Sequence, residues 1–453
     1  MKKIANITEK ISFILFCILM IDCSFMGFAA WGQFGPVASR MFVMLLSLLF
    51  AIPSLLLGWK KILNNKYLIN IILFAVVIVI ATVVGIVNGN NMSLVITDIK
   101  GFSTFLILPV AIHLLNSKER IYCVMKCMMI GTTALAIHSV VTLIIYLTDK
   151  SLFLDMAIEY SKISFAYYGA VTETIPRMFY QSSMYFLCGC AFAVYFFVKS
   201  KSKNKWLYLL VIGICLFATI LTYTRSIYLG AFVAAILLLV FLWMISSKEE
   251  RKKFYLCVVG AVVSFALFLG VFGAVTKTNY LRFAILRTTS GIIADSSSGD
   301  DFDEDLFGDE VSDGEVAYLE QTVTSDNIRE ETLKGLYRNI KKNPVTGIGL
   351  GAAFKERPDG RNEYVYLDMI SKMGVIGLLV YLMPIIIMTF QLFKIRKKIT
   401  VEYSFPVLSY FLLLGFMVTS FFNPYMNGAL GIFFYCFVMA NISWLNSEMN
   451  EGK

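Results

Sequence analysis

The sequence predicts an all-α fold, a polytopic membrane helical bundle of about twelve transmembrane helices with one large extracytoplasmic loop containing short helices. Three observations predict it. Of 453 residues, 58% are hydrophobic and only 16% charged, and mean hydropathy is +0.72, values that a water-soluble domain of this length does not sustain. Apolar runs of spanning length recur at roughly 11–30, 41–58, 68–87, 102–115, 121–147, 182–198, 206–222, 226–246, 254–275, 374–393, 405–422 and 428–445, the fourth being short. The basic residues fall in clusters between these runs, and every cluster follows an even number of them.

That last regularity sets the expected orientation, because lysine and arginine near span ends stay on the cytoplasmic side. The clusters are Lys2/Lys3/Lys10, Lys60/Lys61/Lys66, Lys118/Arg120, Lys199/Lys201/Lys203/Lys205, Lys248/Arg251/Lys252/Lys253 and Lys394/Arg396/Lys397/Lys398. Both termini are therefore expected in the cytoplasm, and the odd-numbered connections outside. The first run follows Lys2 and Lys3 and ends without a small-residue cleavage site, so it reads as a retained span and not a removed signal peptide. A net charge of +9 could suggest nucleic acid, but positive-inside topology already accounts for the basic clusters, and the expected partner is the lipid bilayer.

The nine cysteines lie in or beside apolar runs, which implies no disulfide framework. Cys123 and Cys127 stand one helical turn apart with no histidine or acid at ligand spacing, so they read as small core residues and no metal is expected. No cofactor is expected either.

Three domains follow: spans one to nine over 1–275, the extracytoplasmic loop over 276–373, and spans ten to twelve with a cytoplasmic tail over 374–453. Before the loop, the outer connection from Asp149 to Gln181, with Ile175-Pro176-Arg177-Met178-Phe179, is too polar to span and too aromatic to float freely. It is expected at the membrane surface. The hairpin Leu221-Thr222-Tyr223-Thr224-Arg225-Ser226-Ile227 puts an arginine at the outer end of the seventh span. By position alone, snorkelling to headgroups explains it as well as a fixed cation for a phosphate does, and more cheaply.

Inside the loop, residues 295–315 carry ten acids and no base, a composition that repels itself and stays solvated, so this stretch reads as a disordered insert. Asp301-Phe302-Asp303-Glu304-Asp305 imitates the start of a calcium loop, but Leu306 stands where the turn glycine is needed and Ser312 where the bidentate glutamate belongs. A helix follows at about 327–342, with Glu330 and Glu331 in its first turn, Lys341 and Lys342 in its last, and Asn343-Pro344 as its stop. Ile328, Leu333, Leu336, Tyr337 and Ile340 form its apolar stripe, flanked by Arg329 and Arg338. Gly347, Gly349 and Gly351 follow a helix instead of a strand, so they form no dinucleotide fingerprint and read as a tight turn back into the membrane.

The ordered set Thr222-Tyr223-Thr224-Arg225-Ser226, a large outer loop with a late arginine-bearing helix, Asn343-Pro344-Val345-Thr346-Gly347-Ile348-Gly349, Tyr366-Leu367 and Gly374-Val375-Ile376-Gly377-Leu378 resembles the bacterial O-antigen ligase and polymerase superfamily. The resemblance runs from Arg177 to Leu378. It implies a metal-independent, inverting glycosyltransferase in the bacterial cytoplasmic (inner) membrane, taking an undecaprenyl-diphosphate-linked oligosaccharide on the outer face. A flippase and a chain-length regulator of the same pathway are the implied partners. Carried onto this sequence, the resemblance assigns the lipid diphosphate to Arg177, Arg225 and Arg329, with Arg338 and Arg361 as further cations. Guanidinium groups can stabilise the charge that develops on a leaving diphosphate.

One departure concerns the acceptor side. Ligases of this superfamily carry a histidine before the second glycine pair, and the histidines of this chain, His113 and His138, lie outside the loop. Spacing from Gly374 puts Glu363 at that position, whereas matching the asparagine puts Arg361 there. Only Glu363 could act as a base on a hydroxyl. Glu363 and Arg225 are thus the expected catalytic residues, with Asp368 and Tyr366 as secondary or acceptor-side candidates. The missing histidine favours a polymerase over a ligase. A transporter or flippase is the rival class, and it would place ionisable residues and broken helices near the bilayer midplane.

Overall fold

The computed structural model describes residues 2–25, 33–34, 37–163, 165–172, 175–285, 288, 313–355, 357–360 and 362–451. Its helices are α1 Lys2–Phe25, α2 Ser39–Leu63, α3 Lys66–Val87, α4 Met92–Phe102, α5 Leu108–Leu114, α6 Lys118–Thr148, α7 Lys150–Lys162, α8 Phe186–Lys199, α9 Leu207–Leu221, α10 Arg225–Ile245, α11 Lys248–Thr276, α12 Asp313–Lys342, α13 Val365–Ile395, α14 Phe405–Thr419 and α15 Ala429–Glu451. Two small antiparallel hairpins join them, β1 Gln33–Phe34 with β2 Val37–Ala38, and β3 Ala166–Thr172 with β4 Ile175–Tyr180.

Ten helical stretches among the described residues are long and apolar enough to cross a membrane, and two shorter apolar helices, Ser183–Lys199 and Phe405–Thr419, complete the set. The twelve apolar runs of the sequence map onto them one to one. The protein is a multi-pass helical membrane bundle. Its lipid-facing residues are as apolar as its core: on α3, Ile72, Val76 and Val83 are exposed while Tyr67, Phe74 and Ala81 are buried. Helix α15 is buried almost throughout, with Phe433, Tyr435 and Phe437 inside. Small residues set the helix crossings, as at Gly230 of α10, where a Cβ would come within 2.5 Å of Gly415 O on α14.

The two ends of the bundle differ. At one end the basic clusters meet, through Arg120 Nη1 to Glu9 Oε1 at 2.6 Å, Lys199 Nζ to Glu402 Oε1 at 3.4 Å, and Asn65 Nδ2 to Ser443 Oγ at 2.7 Å. At the other end lie the β3–β4 hairpin, the α9–α10 turn, α12 and the α14–α15 connection.

Four features depart from the sequence reading. The fourth span begins at Met92 and not at 102, because Asp98, which makes that turn look polar, is paired with Lys372 of α13 at 3.0 Å. The stretch from 149 to 181 is a helix followed by a β-hairpin whose faces alternate: Met178 and Tyr180 are buried, Arg177 and Phe179 half-buried. In the loop, α12 is a thirty-residue helix that starts at Asp313 and so takes in the last two of the ten acids; residues 295–312 lie outside the described residues. Helix α13 is broken at Gly374, where φ is 68°.

That break receives the glycine turn. Ile348 N donates to Ser371 O at 2.9 Å, Gly349 N to Lys372 O at 3.0 Å, and Val375 N to Pro344 O at 2.9 Å, so the groups freed at the kink are used by Pro344–Gly349. Gly349 adopts φ 94°, and a Cβ on it would lie 2.1 Å from Gly85 N on α3. The expected tight turn back into the bundle is present, and glycine is what permits it.

Candidate active site

The α9–α10 turn is the part of the chain from which the site is built. Two long apolar helices must reverse direction within Thr222-Tyr223-Thr224, and the reversal puts Tyr223 at φ 46°, a left-handed conformation that an aromatic residue rarely adopts. Such a residue costs roughly 1–3 kcal/mol and persists only where its surroundings hold it; Tyr223 is completely buried. The turn makes Arg225 the first residue of α10. Thr224 makes no side-chain cap there, since its hydroxyl donates back to Thr222 O at 3.0 Å. The positive end of the α10 dipole and the Arg225 side chain thus share one place.

Around that turn lies a cavity of about 540 Å³. Tyr223, Thr224, Arg225, Ser226 and Leu229 form its floor, α12 supplies Arg329, Glu330 and Leu333, and strand β4 supplies Arg177; Tyr364, Phe422, Asn423 and Thr288 complete the lining. Strand alternation sends Arg177 to the face opposite Met178 and Tyr180, where its Nε donates to Thr222 O at 3.3 Å. Three arginines that are far apart in sequence therefore meet at one cavity.

Glu363 sits at its edge, where its Oε2 accepts from Arg329 Nε at 2.7 Å. The segment bearing it is anchored from below: Asn362 Nδ2 donates to Asp368 Oδ1 at 2.5 Å, Lys372 Nζ reaches Asp368 Oδ2 and Asp98 Oδ1 at 3.0 Å each, and Asp98 Oδ2 accepts from Gly351 N at 2.8 Å. Asp368 and Lys372 are buried within this network. Asp368 does not line the cavity; its place is beneath Glu363. Nor does Tyr366, whose hydroxyl donates to Met417 O at 2.7 Å and whose ring packs edge-on against Phe421. Arg338 is exposed further along α12, away from the lining, and Arg361 lies outside the described residues.

Several lining residues were not singled out from sequence, chiefly Tyr364, Phe422 and Asn423. Asn423 Nδ2 donates to Ser226 Oγ, joining the α14–α15 connection to the first turn of α10. Next to it, Tyr425 is buried, and burial pushes its phenol well up while the Arg177 guanidinium draws it down. The polar break at 422–428 follows the eleventh apolar run, and the span count already puts it on the same side as the loop, which is the signal that could have found it.

A concave site with three guanidinium groups and a helix N-terminus suits a multiply charged anion, and Phe422, Tyr364 and Leu229 give it apolar walls. No curated relative matches the sequence. Residues 210–382 match the model of the O-antigen ligase family. The matched segment contains the Arg225 turn, Arg329, the glycine turn and Glu363, and it bears out, over that part of the chain, the resemblance of this multi-pass membrane protein to the O-antigen ligase and polymerase superfamily.

Proposed function

We propose that the protein is a glycosyltransferase of the bacterial cytoplasmic membrane that polymerises undecaprenyl-diphosphate-linked oligosaccharide repeat units of a surface polysaccharide on the outer face. The observation that carries this reading is the meeting of Arg177, Arg225 and Arg329 at one cavity. The donor diphosphate lies among these guanidinium groups at the α10 N-terminus, and they stabilise the charge it gains as the glycosidic bond breaks. Glu363 takes the proton from the acceptor hydroxyl, which attacks the anomeric carbon from the side opposite the diphosphate, inverting its configuration. The prenyl chain lies along the exposed apolar residues of the lining, among them Leu229, Leu333 and Phe422. Both termini face the cytoplasm, because the end where the basic clusters meet is the inner one.

Transport is the second reading, favoured by the broken helix α13 and by the buried Asp368 and Lys372 with the half-buried Asp98. Against it, the break at Gly374 is filled by Pro344–Gly349, which leaves the freed backbone no substrate to coordinate. A strain lacking the protein distinguishes the readings. Polymerase loss leaves single repeat units on the lipid carrier at the outer face, ligase loss leaves long carrier-linked polymer, and accumulation on the cytoplasmic face sinks both in favour of a flippase.

A further inference from the structure

Away from the candidate site, Cys17 of α1 and Cys123 and Cys127 of α6 bring their Sγ atoms within 4.8 Å of one another. The sequence offers only the pair on α6, one turn apart; the third sulfur comes from the first helix and is visible only once the helices pack. Their approach is fixed by the helix seam. Further along it, a Cβ on Gly131 would lie 2.8 Å from Ile21 O, so α6 closes on α1 at near backbone contact. Phe16, Met20, Val124 and Met128 are buried on the same two helices. Cys17 and Cys127 are half-buried and Cys123 is exposed, so the cluster sits at the open edge of a rigid seam.

A metal bound by three thiolates at about 2.3 Å in a plane needs sulfurs roughly 4.0 Å apart, which small side-chain rotations supply here. The donor set is entirely sulfur. Among the described residues no carboxylate or imidazole joins the three sulfurs. Soft thiolates without oxygen or nitrogen ligands select thiophilic ions, and a three-coordinate site closed on one side by helices suits Cu(I) better than Zn(II), which takes a fourth ligand. We propose that Cys17, Cys123 and Cys127 form a binding site for Cu(I) that links α1 to α6. Binding releases the thiol protons to water and changes no oxidation state.

The test uses the purified full-length protein in detergent, reduced and anaerobic, titrated with Cu(I) against a colorimetric Cu(I) chelator. One Cu(I) per chain is expected, with a rise in the thermal unfolding temperature. Replacing all three residues, as Cys17→Ser, Cys123→Ser and Cys127→Ser together, should remove both effects, whereas Cys257→Ser on α11 should leave them. Cys123→Ser alone changes a residue at the bilayer face and keeps the test decisive if the triple variant does not fold; it should weaken binding by more than the about 100-fold that loss of an outer-shell partner costs. Equal binding by the serine variants, no binding by the unaltered protein, or tight Zn(II) binding without Cu(I) binding would each overturn the proposal.

Discussion

Arg329 and Glu363 form an ion pair at the mouth of the arginine cavity, Nε to Oε2 at 2.7 Å, with both side chains partly exposed. The pair joins α12 to the segment leading into α13, and in the proposed reaction it couples a diphosphate ligand to the acceptor base. In that reaction an incoming diphosphate would compete for Arg329 and so release Glu363 toward the acceptor.

Glu363→Gln should therefore remove the base yet leave Arg329 free for the donor. The expected result is a fall in sugar transfer of about 100- to 10,000-fold, with donor affinity unchanged or higher, measured with purified protein and lipid-linked repeat unit. Transfer at the normal rate would assign the base elsewhere.

Lys372→Met removes the one cation that the buried network places between Asp98 and Asp368. Breaking a buried pair costs about 3–5 kcal/mol because the partner charges stay behind, so unfolding in detergent should occur at a clearly lower temperature. Adding Asp98→Asn should restore part of the loss; an unaltered unfolding temperature in the single variant would show that the network carries no such energy.

Gly349→Ala should abolish folded expression, since it imposes a side chain at φ 94° and within 2.1 Å of Gly85 N. Gly270→Ala is the comparison, because a Cβ there meets nothing within 4 Å and alanine is the better helix former. Fluorescence of a tagged protein on size-exclusion chromatography reads both, and a monodisperse Gly349→Ala protein would refute the close approach of the turn to α3.

Orientation is tested by single cysteines in a cysteine-free background. Asp359→Cys in the loop should react with an impermeant thiol reagent in intact cells, and Ser202→Cys in the lysine cluster after α8 only once the membrane is broken. The opposite pattern would take the cavity off the face where the proposed donor is used.

How much of this was legible in the sequence depends on how local the cause is. Apolar runs are local, and all twelve became helices. The arginine of the α9–α10 turn stood out because it ends one span and begins the next within five polar residues. The full fourth span did not, because what neutralises Asp98 is Lys372, far along the chain. The β3–β4 hairpin is not legible, because its period-two alternation is too short to stand out in the sequence. Asp368 is a secondary, acceptor-side candidate in the sequence, and only packing shows it engaged by Asn362 and Lys372.

The central claim, that the cavity holds a leaving diphosphate, rests most heavily on Arg225, which begins α10 and lies on the cavity floor. Arg225→Lys keeps a positive charge at the same depth but loses the paired N–H donors that match two phosphate oxygens. If the residue only snorkels to headgroups, this change costs little. The account predicts instead that the lysine variant inserts and expresses normally while transfer falls by about 3 to 4 kcal/mol, roughly a hundred- to a thousand-fold. The measurement is polymer length and transfer rate in a strain carrying Arg225→Lys at matched protein level. Short or absent polymer is the predicted result, and polymer of full length made at the normal rate would contradict the account.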